Sequence, residues 1–316
     1  MKELLILVVV GSMLMAFAGC QRGTEQVGGA PRIALVLKTA NNPFFIEMQR
    51  GAEETAKQLG VNLIVQAAER ELDVEKQMQI IENLIQTKVA ALCITPSGSR
   101  EIVPAIEKAN RASIPVVIVD TRVDPKVMSE STAKISTFIG SDNYEGGKIA
   151  GEFLAKQLGG KGKVAVLEGI PGHETGDSRL KGFRDALKAT PGIEIVASQT
   201  ANWERDQGFN VFQNILQSHP DLQAVFACSD LMALGAVEAI AAAKKTGQIS
   251  VVGFDALDEA RKAVLNGTML ATVAQFPAKM GSMAVENAYN VLKGQQVKAE
   301  IVVPIQLITK ENAASK

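Results

Sequence analysis

From residue 32 almost to the C-terminus, short aliphatic runs alternate with longer amphipathic stretches. "RIALVL", "NLIVQ", "AALCI", "IPVVIV", "KVAVLEG", "IEIVAS", "QAVFA" and "ISVVGF" are continuous apolar runs. Such runs predict strands covered on both faces, as in parallel sheets. Between them, Phe45, Met48, Ala52, Ala56 and Leu59 form one helical stripe, closed by Gly60, and Val74, Met78, Ile81 and Ile85 form another. Both have the 3.6-residue period of a helix with one buried face. A β-α-β-α order with right-handed crossovers predicts a doubly wound α/β sheet. The pattern restarts around "FIGSDNYEGGK", so one sheet is expected to end near Gly140 and a second to begin near Lys163.

The first twenty residues, "MKELLILVVVGSMLMAFAGC", break this pattern. Lys2 precedes an apolar run, Leu4 to Ala18, too short to span a bilayer comfortably, and a step of small residues leads into Cys20. This predicts an export signal over 1–19. The ending "FAGC" resembles a lipobox, with Cys20 as the acylated residue, although Phe17 stands where a leucine is commoner. An ordinary signal peptide with an incidental cysteine is the alternative. Residues 20–30 are polar and rich in glycine and predict an anchor and flexible tether. About 297 residues remain after the signal, enough for two lobes.

A net charge of −1 offers no basic footprint for nucleic acid. Cys93 reads as a buried strand residue and Cys228 as the end of a separate strand. An exported protein allows a disulfide between them, but two free thiols are expected. Neither has the Cys/His spacing of a zinc site, so no metal and no cofactor is expected. No G-x-G-x-x-G follows the first strand, and there is no P-loop or G-x-S-x-G elbow. His173 and His219 are the only histidines, and His173, in "GHETGD", reads as a solvated loop residue. An enzyme is therefore not expected.

In doubly wound sheets, ligands gather outside the carboxyl ends of the strands. The first run is followed by Lys38, Asn42, Pro43, Phe44 and Phe45, and the fourth by Asp120 and Arg122. Later runs lead into "LEGIPGHETGDSRLKGF", "TANWERDQGF", "ACSD" and "GFDALDEA". Carboxylates and amides at these positions can satisfy hydroxyl groups, and aromatic faces can cover the C–H face of a sugar ring. Only 4% of the residues are aromatic, so adjacent phenylalanines at the start of a helix point to a ligand wall. Phe45 also belongs to the apolar stripe of its helix, which makes Phe44 the better cleft candidate. Asp230, ahead of "LMALGAV", reads as a helix N-cap.

"NNPFF", "GSDNYEGGKIAGEFLAK", "WERDQGFNVFQNIL", "HPDLQAVFACSDLMALGAV", "VVGFDALDEA" and "ATVAQFP" resemble, in order and spacing, segments of the ribose-binding protein family of periplasmic sugar-binding proteins. The resemblance runs from about Pro31 to Lys310. It implies a type I periplasmic binding protein fold, with two doubly wound parallel-sheet lobes joined by a three-crossing hinge near Ser141, Gln275 and Pro304. The N-terminal lobe would comprise 31–141 and 276–304, and the C-terminal lobe 142–275 and 305–316. It further implies sugar contacts at Asn42, Phe44, Phe45, Asp120, Trp203, Ser229, Asp255 and Gln275.

Three departures bear on specificity. Lys38 stands where the ribose binder has a serine. Asp177 aligns with a sugar-contacting arginine, for which Arg179 could substitute unless it lies on the first turn of a helix capped by Asp177. The family's Asp-Arg pair appears as "DTRVD", so Arg122 either takes the arginine's place one residue late or points elsewhere. These departures lead to the expectation that the ligand is a polyol or a monosaccharide other than ribose, with an amino sugar ranked lower. The implied protein is a monomer, anchored to the membrane by lipid, that delivers its ligand to the permease of an ABC transporter. A sensory role toward a chemoreceptor or sensor kinase is the alternative.

Overall fold

The computed structural model describes residues 29–314, so the signal, Cys20 and most of the tether lie outside the described residues. The first half contains β1 (Arg32–Leu37), α1 (Pro43–Leu59), β2 (Asn62–Ala67), α2 (Val74–Gln86), β3 (Ala91–Ile94), α3 (Val103–Arg111), β4 (Val116–Val119), the short α4 (Pro125–Ser129) and β5 (Thr137–Ser141). It is followed by α5 (Asn143–Gln157), β6 (Lys161–Glu168), α6 (Glu174–Leu187), β7 (Gly192–Thr200), α7 (Arg205–Ser218), β8 (Ala224–Ala227), α8 (Asp230–Ala242), β9 (Ser250–Asp255), α9 (Asp258–Asn266) and β10 (Ala271–Ala274). The chain ends through α10 (Pro277–Leu292), β11 (Glu300–Val303) and β12 (Gln306–Ile308).

Two six-stranded sheets form, in the orders β11-β5-β4-β3-β1-β2 and β12-β10-β9-β8-β6-β7. Each is the centre of a lobe. All pairings are parallel except β10 with β12, which is antiparallel and so departs from the expected all-parallel sheet. The chain changes sheet after β5, after β10, and between β11 and β12. Ile33 to Leu37 are buried without interruption, which is why β1 has no polar alternation.

Helix packing is tight where it positions the cleft. A Cβ on Gly147 of α5 would lie 2.0 Å from the Arg179 carbonyl oxygen of α6. Only glycine lets these helices approach so closely, and the approach fixes the backbone that carries Arg179. Cys93 and Cys228 are free and buried, one in each sheet's lobe. No described helix is long and apolar enough to cross a membrane.

Candidate ligand cleft between the lobes

Lys38, Asn42, Phe44, Phe45, Glu71, Asp120, Thr175, Arg179, Trp203, Ser229, Asp255 and Gln275 line one cavity between the carboxyl ends of the two sheets. On the first lobe, Asn42 caps α1: its Oδ1 accepts from Phe44 N at 3.0 Å. Its Nδ2 donates to Glu71 Oε1 at 3.0 Å. Pro43 follows at the first helical position, where a missing N–H costs nothing. Phe44 and Phe45 meet edge to face at 5.3 Å between ring centres. Both are buried, and both line the cavity. The Lys38 ammonium lies 3.2 Å from Asp120 Oδ2 and 3.9 Å from Glu71 Oε2. Burial raises the Glu71 pKa, and Lys38 and Asn42 oppose that rise.

On the second lobe, Arg179 is clamped by its surroundings. Its Nε donates to Asn143 Oδ1 at 2.8 Å and its Nη1 to the Cys228 carbonyl at 2.7 Å. The guanidinium carbon sits 3.8 Å from the Phe254 ring centre, and Nη1 is 3.5 Å from Asp255 Oδ1. Gln275 Nε2 donates to the same Asp255 oxygen at 2.8 Å. Burial raises the Asp255 pKa to about 7 despite Arg179 and Gln275. Behind Asp255, the fully buried Asp230 accepts from Thr272 Oγ1 and Leu257 N and is also pushed well up by burial. Trp203 lies flat against Gly169, where a Cβ would come within 2.0 Å of the indole.

Two features point to a ligand. Asp120, Trp203 and Asp255 hold φ of 66°, 68° and 115°, a conformation costly for residues with a Cβ, and all three converge on the cavity. Thr175 Oγ1, Trp203 Nε1 and Gln275 Oε1 are buried without a hydrogen-bond partner. Unpaired buried groups carry a desolvation cost of about 1–3 kcal/mol that a hydroxylated ligand would relieve.

Several sequence expectations need correction. Arg122 does not enter the cleft: it pairs with Glu300 on β11 and stacks 3.9 Å over Phe138, drawn to the sheet edge by charge and an aromatic face. Asp177 is exposed, while Arg179 enters the cavity. Helix α6 begins at Glu174 with His173 as its N-cap, and residues two apart on a helix point roughly 200° apart, so the two cannot share a face. Asp230 is not the N-cap of α8: Ser229 is, accepting from Met232 N at 3.5 Å. His173 is buried, not solvated. Glu71 and Thr175 were missed. Glu71 lies four residues past the end of β2, behind Glu69 and Arg70, and Thr175 sits among the polar neighbours of "GHETGD", so neither carried a distinct signal of its own.

Two lobes crossed three times, closing on a cavity of carboxylates, amides and aromatic faces, define a solute receptor. The chain belongs to the periplasmic binding protein family, within its ribose-binding group of sugar-binding transport proteins: residues 33–296 match the periplasmic binding protein domain. It is 40% identical over 279 residues to the ribose import binding protein RbsB of Escherichia coli K12, covering 88% of this chain and 90% of that one. It is 37% identical to the D-allose-binding periplasmic protein of the same organism, over 80% of this chain and 82% of that one. Among solved structures, an ABC transporter periplasmic solute-binding protein from Actinobacillus succinogenes with bound D-allose has a TM-score of 0.86 and 40% identity, covering 90% of this chain and all of that one. Members of this group bind and transport sugars and are not enzymes.

Proposed function

We propose that this protein is an exported, lipid-anchored monomer that captures one monosaccharide or polyol between its lobes and delivers it to the permease of an ABC importer. The observation that carries this reading is the interlobe cavity in which Lys38, Asn42, Glu71, Asp120, Arg179, Asp255 and Gln275 face Phe44, Phe45 and Trp203. Its carboxylate and amide oxygens outnumber its cations, which suits a neutral ligand with several hydroxyl donors.

D-allose is the first ligand to test. Support comes from the allose-bound relative at 40% identity; Lys38, whose ammonium pairs with Asp120, bears only on the departure from the ribose binder. With Arg179 in the cleft, Asp177 no longer argues against ribose, so the preference for another sugar rests on Lys38 and on the displaced Arg122.

Calorimetry of the soluble body with D-allose, D-ribose and myo-inositol tests the reading. Submicromolar binding of D-allose is expected, and tightest binding of ribose would overturn the choice of ligand. Mass analysis of the mature protein should show a multiply acylated chain starting at Cys20, since one acyl chain anchors only marginally. An unmodified N-terminus inside the tether would defeat the anchor.

A further inference from the structure

His173 is 4% exposed and lies outside the ligand cavity, in the seam where the two lobes meet. It stands at the N-cap of α6 in the second lobe, and its ring lies in the seam against the Ser97 segment of the first lobe. The next residue bridges the lobes directly, Glu174 N donating to Ser99 Oγ at 3.2 Å. The first-lobe side of this seam is firmly held. Gln77 donates to the Leu37 and Thr95 carbonyls and accepts from Ser97 N at 2.8 Å, fixing the Ser97 loop to two strands.

The electrostatic setting favours a neutral imidazole. His173 Nδ1 has no partner. From the first lobe, the Lys38 ammonium opposes a positive charge on the ring and Asp120 favours one, with Lys38 the stronger influence. Glu174, Asp177 and Lys181 share the seam from α6, and Arg100, Glu101 and Asp124 from the first-lobe rim. Arg100 is engaged with Asp124 at 2.7 Å. None of these carboxylates bonds the imidazole. Burial, and then Lys38, bring the His173 pKa from 6.5 down to about 3.

We propose that His173 is a proton-sensitive latch on lobe closure: the closed cleft accepts only its neutral ring, so protonation in acid favours the open form and ligand release. This rests on the proposed sugar-capture reading. Hinge motion that parts the lobes returns His173 to water, where its ordinary value applies, so opening takes up one proton below that pH. The linkage has a definite sign. The His173 contribution to affinity is full above the open-state pKa and falls as pH drops below it, by about tenfold between pH 7.5 and 5.5 for a value near 6.5. Asp255, whose pKa burial raises, acts in the opposite sense in wild type and variant alike, so the latch is read from their difference.

The test compares the wild type, His173→Gln and His219→Gln by calorimetry with D-allose, D-ribose and myo-inositol from pH 7.5 to 5.5. His173→Gln should keep its affinity at pH 7.5 and lose about a factor of ten less than wild type on acidification, while His219→Gln should follow wild type. Because the chain has only two histidines, NMR of the ring protons reads the latch directly. His173 should titrate in the ligand-free protein and stay neutral to pH 4.5 with sugar bound. A sugar bound by wild type and His173→Gln with the same pH profile, or a His173 ring that titrates normally in the complex, overturns the latch and leaves the sugar-capture reading standing. Failure of all three sugars to bind wild type at pH 7.5 overturns that reading, and the latch with it.

Discussion

Lys38 Nζ stands 3.2 Å from Asp120 Oδ2, and neither side chain is more than 5% exposed. This pair joins the end of β1 to the end of β4 and closes the first-lobe wall of the cleft. Its burial changes what a substitution at Asp120 should do. Removing one partner of a buried ion pair typically costs roughly 3–5 kcal/mol, because the other charge is stranded. Glu71, 3.9 Å from the ammonium, should hold the cost of Asp120→Ala at or below the low end of that range. Urea denaturation of the ligand-free protein measures it, and Lys38→Met combined with Asp120→Asn should recover part of the loss. An unchanged midpoint for Asp120→Ala would show that the pair contributes no stability.

Arg179 and Asp177 test the corrected assignment. Arg179→Lys keeps the charge but cannot reproduce the fork that grips Asn143 and the Cys228 carbonyl while lying on Phe254. Sugar affinity should fall at least tenfold, about 1.4 kcal/mol. Asp177→Asn, on the exposed side of α6, should leave affinity unchanged. The reverse order in a calorimetric comparison would restore Asp177 to the cleft.

In the closed form, where the lobes bury its carboxyl, Asp255 should give the protein an acid-favoured component of stability. Its folded pKa of about 7 lies above the ordinary value of 3.8, chiefly because of burial. A carboxyl with a raised folded pKa contributes stability that is fully present below its unfolded value and is lost as pH rises through the folded one. The melting temperature of wild type relative to Asp255→Asn should therefore climb as pH falls from 8 toward 5. A difference that stays flat across that range would mean Asp255 titrates normally.

Trp203 is the only indole in the chain and is 5% exposed at the cleft. Ligand binding should change its emission. Gly169→Ala should push the ring from its seat, at a cost of about 1–3 kcal/mol from overpacking, and should weaken sugar binding. Fluorescence titration reads both effects, and an unchanged spectrum at saturation would remove Trp203 from the ligand wall.

Most of the architecture was legible because buried parallel strands write themselves as unbroken apolar runs. The strands that escaped are those whose sequence lacks that mark. β5 carries Gly140 and two hydroxyl residues, β10 is a four-residue strand interrupted by Thr272, β11 is an edge strand with exposed positions, and β12 is only three residues long. In the cleft, residues directly following a strand were readable, whereas those on α6 were not. Choosing between Asp177 and Arg179 needed the helix start at Glu174, and "GHETGD" offers several polar residues able to begin a helix. Arg122 was misplaced because Glu300, its partner, is distant in sequence.

Gln275 follows β10, on one of the three segments that pass between the sheets, and its side-chain oxygen is buried without a partner. On the proposed sugar-capture reading, a guest that satisfied this oxygen would grip the joint between the lobes as well as the walls. Recognition and bending would then be a single event, with no relay between them, and a solute unable to engage Gln275 could rest in the cleft without setting the angle at which the lobes meet.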